Sequence, residues 1–167
     1  MLFRSNQCDL IAAAVTITPE RQEKLAFSDP YYDSLQSLLV PADSAAKSLE
    51  DLAGKKIGIQ QGTTGESYAR DNAPADTEVI AYQSDAEIFQ ALQAGNIDAV
   101  LQDLPVNLNH TDGGKFTIAA TYPTGESYGL AMKKGGTEQL VEEVNNQLAA
   151  LRENGKYTEL YNKYFTA

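Results

Sequence analysis

An arginine and an aspartate stand in two polar segments that each follow an apolar run. Thr16-Ile17-Thr18-Pro19-Glu20-Arg21 comes after Leu10 to Val15, and Gln102-Asp103 comes after Ile97 to Leu101. Between them in the chain lies Gln61-Gly62-Thr63-Thr64-Gly65-Glu66, a glycine-bearing turn between a strand pattern and a helix pattern. A guanidinium grips a carboxylate through two parallel hydrogen bonds, which an ammonium cannot do. A carboxylate at a strand end calls for a cation, and a ligand ammonium supplies one; each charge-assisted hydrogen bond contributes about 1.5–3 kcal/mol. With the neighbouring hydroxyl and backbone donors, this set suits a free α-amino acid. It is a binding chemistry, and no nucleophile–base pair accompanies it.

Each of these residues carries a second reading. Arg21 also fits a solvated helix arginine paired with Glu20 or Glu23, a surface contact of little worth. Thr16 adds a hydroxyl and a backbone N–H, and Ala14 a strand-end carbonyl or N–H. Gly62 to Gly65 lies where a strand feeds a helix, so that backbone N–H groups and the helix dipole can face an anion; a plain turn is the alternative. It is not a Walker loop, because no Lys-Ser/Thr follows the second glycine, and Gly58 and Gly62 do not fit the dinucleotide fingerprint. Thr64 is the side chain there expected to meet a ligand. Asp103 ends an apolar strand, where open α/β sheets bind ligands, and it also fits the N-cap of a helix beginning at Leu104. Tyr31, Tyr32 and Tyr122 suit either a hinge region or ordinary packing.

The elements that must position these groups follow from periodicity. Leu10 to Val15 is a continuous apolar run, the pattern of a strand covered on both faces. Thr18 then Pro19 marks a helix start, and Phe27 to Tyr32 a turn in which Asp29 is extended by Pro30. Leu35 to Val40 is a second strand, and the polar stretch from Pro41 to Lys47 is a plausible boundary between lobes. A brief helix over Ser48–Gly54, a strand over Lys56–Gln60, a loop and helix over Gly62–Asn72, and a strand over Glu78–Tyr82 follow. Ser84 caps a helix whose Ile88, Phe89 and Leu92 share a face; Ile97–Gln102 is a strand and Leu104–Asn109 a short helix. This alternation predicts an α/β fold with a parallel, doubly wound sheet. Two further strands, Phe116–Ala120 and Tyr128–Met132, precede a helix with Leu140, Val141, Val144, Leu148 and Leu151 at helical spacing. A final helix bears the stripe Tyr157, Leu160, Tyr161, Tyr164 and Phe165, a packing face.

Composition narrows the partners. The 167 residues are 43% hydrophobic and 22% charged, with a formal net charge of −10. That charge repels phosphate backbones and anionic lipid, so neither nucleic acid nor direct membrane insertion is expected. No apolar stretch approaches the roughly 20 residues of a membrane span. Cys8 stands alone, which rules out an intrachain disulfide and a multi-cysteine metal site; no cofactor and no metal is expected. Cys8 reads as a passive strand-edge residue and His110 as a solvated loop histidine. Met1-Leu2-Phe3-Arg4-Ser5 is not a signal peptide, and the chain is expected to begin mid-domain.

Taken together, these segments resemble the family 3 extracellular solute-binding proteins, the polar amino-acid receptors of ABC importers. The run from Cys8 to Arg21 looks like that family's first-lobe signature. Phe27-Ser28-Asp29-Pro30-Tyr31-Tyr32, Gln61 to Glu66, Gly95 to Asp103, Tyr128 to Gly135 and Leu151 to Tyr157 follow in the family's order, over nearly the whole chain. The resemblance implies a periplasmic-binding-protein type II fold, with two α/β lobes joined by crossing strands and closing on a ligand. The first lobe would be residues 1–40 and 126–167, and the second residues 41–125. Arg21 and Thr16 would hold the ligand α-carboxylate, Asp103 the α-ammonium, and Ala14 would contribute backbone at a position often glycine in the family. Thr64 and the Gly62 turn would close over the carboxylate, while Gln60 and Gln102 would judge the ligand side chain. The implied partners are a polar amino acid and a membrane permease, and the implied location is periplasmic or extracellular. Family members carry an opening βαβ portion before the Leu10 strand. Its lack here predicts an incomplete first lobe, one missing pocket wall, an exposed sheet edge and apolar surface. Rival readings are a cyclohexadienyl dehydratase acting on prephenate or arogenate, with Glu66 and Glu126 as remote acids, and the sensory domain of a receptor or wall-lytic enzyme.

Overall fold

The computed structural model describes residues 8–165, so the reading of Met1 to Ser5 lies outside the described residues. The chain divides into two compact units, Met1–Asp33 with Gly125–Ala167 and Ser34–Thr124. Two strands contribute to both: β3 (Tyr32–Pro41) and β7 (Phe116–Lys133).

The unit Ser34–Thr124 is built on β4 (Lys56–Gln60), β5 (Glu78–Tyr82) and β6 (Ala99–Asp103). β4 lies between the other two and pairs parallel with both, Ile57 facing Val79 on one side and Ala99 on the other. The expected parallel core is therefore present. It is extended by an antiparallel neighbour, because β3 pairs with β6 in the register Gln36↔Asp103 to Leu39↔Val100. The sheet is mixed and not wholly parallel. Alternation along these strands sends side chains to two faces. Leu38, Val40, Ile57, Ile59 and Leu101 form one cluster, against α2 (Thr64–Asn72) through Ala69 and against a 3-10 turn at Glu50–Leu52. Leu39 and Val100 join the other, against Ile88, Phe89 and Leu92 of α3 (Asp85–Gln93). Burying one such aliphatic side chain contributes about 1.5–3 kcal/mol, so this unit is filled on both sides of its sheet.

Helix starts in this unit follow local chemistry. Thr63 and Ser84 accept hydrogen bonds from the backbone N–H of Glu66 and Glu87. Each glutamate reaches back in turn, Glu66 to Gly62 N–H at 2.8 Å and Glu87 to Gln83 N–H at 3.0 Å. Both are reciprocal capping arrangements. The α4 helix (Leu104–Leu108) is tied to β3 by Asn107, which is wholly buried and donates to Ser37 O and Oγ at 3.1 and 2.9 Å.

In the other unit, β1 (Leu10–Thr16) and β2 (Leu25–Phe27) both pair antiparallel with the second half of β7. The reading of β1 as covered on both faces is overturned: Ala12, Ala13 and Ala14 are exposed, and the pairing is irregular between Ile11 and Val15. β7 is one 18-residue strand and not two. Pro123 and Gly125 suggest a break, but proline tolerates extended backbone where its missing N–H is not needed, and Gly125 absorbs a bend at φ 71°. The helices α5 (Glu138–Glu153) and α6 (Lys156–Tyr164) have no buried residue among those described. Their apolar stripes line an open cavity of about 350 Å³ with Ala12, Tyr31 and Leu130. Polar contacts hold them to the segment before β3: Arg152 donates to Pro30 O at 2.7 Å and Tyr157 to Tyr31 O at 2.6 Å. Tyr32 stacks on Phe165 with centroids 4.1 Å apart and lies 5.3 Å from Tyr128, so its role here is packing.

Candidate functional site

Within the first unit, the α1 helix (Pro19–Gln22) presents Arg21. Thr18 caps it, its hydroxyl accepting from Arg21 N–H at 3.2 Å, and Pro19 occupies the first helical turn. The guanidinium folds back so that Nη1 donates to Thr16 O at 2.9 Å. A pairing with Glu20 does not govern Arg21. The Glu20 carboxyl is lowered first by its own backbone N–H and then by the Thr18 hydroxyl, with Arg21 the smallest contributor. Thr16 is buried, and its hydroxyl donates to Glu126 Oε2 at 3.1 Å. The strand end thus gathers a guanidinium, a hydroxyl and a carboxylate.

Ala14 has φ 49°, a left-handed conformation for a residue bearing a Cβ. Such backbone costs about 1–2 kcal/mol in a non-glycine residue and collects at functional sites. Burial pushes the Tyr31 phenol up, and the Ala14 backbone opposes that shift.

Within the second unit, the predicted residues separate. Gln102 and Asp103 are consecutive on β6, so their side chains leave opposite faces. Asp103 Oδ1 accepts from Gln36 Nε2 at 2.5 Å, and the same nitrogen lies 3.5 Å from Thr64 Oγ1. Asp103 and Thr64 are thus brought together by one amide. Gln102 is buried on the other face and donates to Asp85 Oδ1 at 3.0 Å, beside His110, whose Nε2 is 3.1 Å from Asp85 Oδ2. The Gln102 amide is thus engaged with the partly exposed Asp85–His110 pair. His110 is not a solvated loop residue: it is half-buried and stacked on Phe89.

The capping reading of Asp103 changes: it occupies the N-cap position of α4 but makes no side-chain capping bond, and its carboxylate accepts from Gln36. In the glycine-bearing turn, the Gly62 N–H donates to Glu66 Oε2. That contact, followed by the Arg70 hydrogen bond, holds the Glu66 carboxyl below its usual range. Gln60 ends β4 half-buried, its carbonyl accepting from Thr63 Oγ1 at 2.8 Å.

Sequence reasoning missed Gln36 and the Thr63–Glu66 cap. The cap had a signal, Thr-x-x-Glu before a helix. Gln36 had a subtler one: Gln36-Ser37 interrupts the run Leu35 to Val40, and Gln102-Asp103 ends the strand that pairs with it. Cys8 donates its thiol to Leu10 O at 2.8 Å. Among the described residues, no group of three or more His, Cys, Asp or Glu is arranged to hold a metal, and no helix is long and apolar enough to cross a membrane.

The mixed α/β fold matches structures of type II periplasmic binding proteins over part of their length. One is an ancestral arginine-binding protein bound to glutamine, at TM-score 0.88 and 35% identity, covering 98% of this chain and 73% of that one. An ABC transporter glutamine-binding protein of Bacillus subtilis is 35% identical over 165 residues, covering 98% of this chain and 60% of the relative. The L-arginine-binding protein of Pseudomonas aeruginosa is 36% identical over 176 residues, with 98% and 67% covered. The chain therefore spans about 60% to 67% of the length of these curated relatives. The family model for bacterial extracellular solute-binding proteins, family 3, matches residues 2–167. With that match over nearly its whole length, the chain belongs to the bacterial extracellular solute-binding proteins, family 3.

Proposed function

We propose that this chain is the extracytoplasmic binding component of an amino-acid ABC importer, recognising a polar amino acid by its α-carboxylate and α-ammonium. The observation that carries the reading is the treatment of Asp103. In the second unit, Glu66 and Glu87 each cap a helix, whereas Asp103, at the N-cap position, makes no side-chain capping bond and is oriented by a buried amide. A carboxylate held this way at a strand's carboxyl end suits an ammonium. In the first unit, Arg21 and Thr16 supply the complementary anion site. Glu126 already accepts from the Thr16 hydroxyl, so an arriving ligand carboxylate takes over that contact. The strained backbone at Ala14 adds to the same strand end. Each unit would act as one lobe, with closure on the ligand as a hinge motion and a membrane permease as the downstream partner. Thr64 would meet the ligand from the second unit, with Gln60 and the Gly62 turn beside it.

Calorimetric titration with L-arginine and L-glutamine, the ligands in the relatives' names, tests this reading. Saturable binding that is lost in both Arg21→Ala and Asp103→Asn is the expected result; binding of neither amino acid overturns it. The dehydratase alternative has less support, because Glu66 is engaged by Gly62 and Arg70 and Glu126 by Thr16. Phenylpyruvate formation from prephenate would favour it instead.

A further inference from the structure

Gln36 is wholly buried on β3, with the buried Ser37 next to it and the buried aliphatic residues Leu38, Leu39 and Val40 following on the same strand. A buried amide without partners is unfavourable by a few kcal/mol, so its contacts explain its presence. It stands directly across the antiparallel β3–β6 pair from Asp103. Directly opposite residues project to the same face with Cβ atoms about 4.5–5.5 Å apart, which fits a glutamine reaching a shorter aspartate. An ionised carboxylate only accepts hydrogen bonds, so the nitrogen of the amide must be the atom that faces it. The donor–acceptor distance is 2.5 Å, and a hydrogen bond to an ionised acceptor is stronger than a neutral one. The same nitrogen lies 3.5 Å from the Thr64 hydroxyl.

Gly65 completes the arrangement. It is buried, and a Cβ built there would stand 2.9 Å from Gln36 Oε1 and 3.4 Å from Leu101 O. Glycine permits this close approach of α2 to the amide, which a Cβ would push aside. One side chain is therefore clamped between a strand and a helix N-terminus, touching two of the groups of this unit that the amino-acid reading assigns to the ligand, Asp103 and Thr64.

We infer that Gln36 is a positioning residue for amino-acid recognition: its amide fixes the Asp103 carboxylate for the ligand ammonium and ties the Thr64 hydroxyl to the same point. This rests on the function proposed above. The contact of the Gln36 amide with Oδ1 selects the rotamer in which the Asp103 carboxylate is held.

The test is Gln36→Met, which keeps length and volume but removes the donor, titrated with L-arginine, L-glutamine and their des-amino analogues. The analogues retain the carboxylate and lack the ammonium. Expected is a loss of about tenfold or more in affinity for the amino acid, with a clearly smaller loss for the des-amino analogue, whose carboxylate feels only the Thr64 side of the change. Equal losses for both ligands, or no loss for either, overturn the inference. A parallel measurement follows the Asp103 carboxyl carbon by NMR through an acid titration without ligand, its resonance assigned by its disappearance in Asp103→Asn. The midpoint should rise in Gln36→Met, and an unmoved midpoint overturns the inference. If the unaltered chain binds neither amino acid, the importer reading fails, while this second measurement still decides the role of Gln36. Should Gln36→Met not fold, Gly65→Ala displaces the amide from the helix side and is read in the same two assays.

Discussion

The two units hold their candidate ligand groups by different means. In Ser34–Thr124, Asp103 and Thr64 are gripped by a buried side chain, over a sheet filled on both faces and beneath helices with reciprocal caps. In the unit containing residues 8–33, Arg21 sits on a helix of 4 residues, beside a strand whose middle is exposed and whose Ala14 has φ 49°. Local signals agree with the fold in one unit and conflict with it in the other. Consistency across levels marks a self-sufficient scaffold, and its local failure marks either a functional segment or strain. The second unit thus supplies a rigid platform, and the first supplies backbone held in a disfavoured shape.

The sharpest way to break this contrast is to compare cavities. Ile57→Ala, at a fully buried site of β4, should lower unfolding free energy by about 3 kcal/mol. Leu148→Ala, on the half-buried stripe of α5, should lower it by about 1 kcal/mol. Urea denaturation of both variants decides; equal losses would mean the two units are packed alike. Removing a cap comes next. Thr63→Ala should cost about 1 kcal/mol, seen as a lower urea midpoint with an unchanged slope. Ala14→Gly should act in the opposite sense, raising stability by about 0.5–1 kcal/mol, because relief of left-handed strain exceeds the entropy that glycine loses on folding. A lower melting temperature in Ala14→Gly would show that the segment is not strained.

The smallest effect is electrostatic. The Gly62 N–H, then Arg70, hold the Glu66 carboxyl below its usual range. A folded value below the unfolded one, about 4.3 for glutamate, means that the stabilisation is fully present above the unfolded value. It is lost as pH falls through the folded value. Unfolding curves of the unaltered chain and Glu66→Gln should differ at pH 6 and draw together as pH falls from the unfolded value through the lower folded one. A difference that persists into acid would assign the effect to packing.

Much of this architecture is legible in the sequence where short-range chemistry and long-range packing agree. Thr18-Pro19 and Ser84 start their helices as their residue types require; Lys56–Gln60 and Glu78–Tyr82 form the parallel core with Ala99–Asp103, two residues inside the start expected at Ile97 and one past the end expected at Gln102. The antiparallel placement of β3 was not legible, because an apolar run does not state its direction. Pro123 and Gly125 disguised the continuity of β7. At the candidate site, the residue types that suit a carboxylate and an ammonium were legible at Arg21, Thr16 and Asp103. The opposed faces of Gln102 and Asp103 depend on β6 being extended up to its last residue, which the sequence left open. Gln36 was hidden because its meaning lies in a partner 67 positions away.

One unit is a single stretch of chain, Ser34–Thr124, while the other is assembled from residues on either side of it. During synthesis, every residue of the contiguous unit is added before the closing half of the other. Its core, with Ile57, Leu38 and Val100, is therefore complete in the chain while β1 still waits for β7. A gene segment encoding residues 34–124 can be expressed by itself without rejoining ends, whereas the split unit would need an artificial bridge from Asp33 to Gly125.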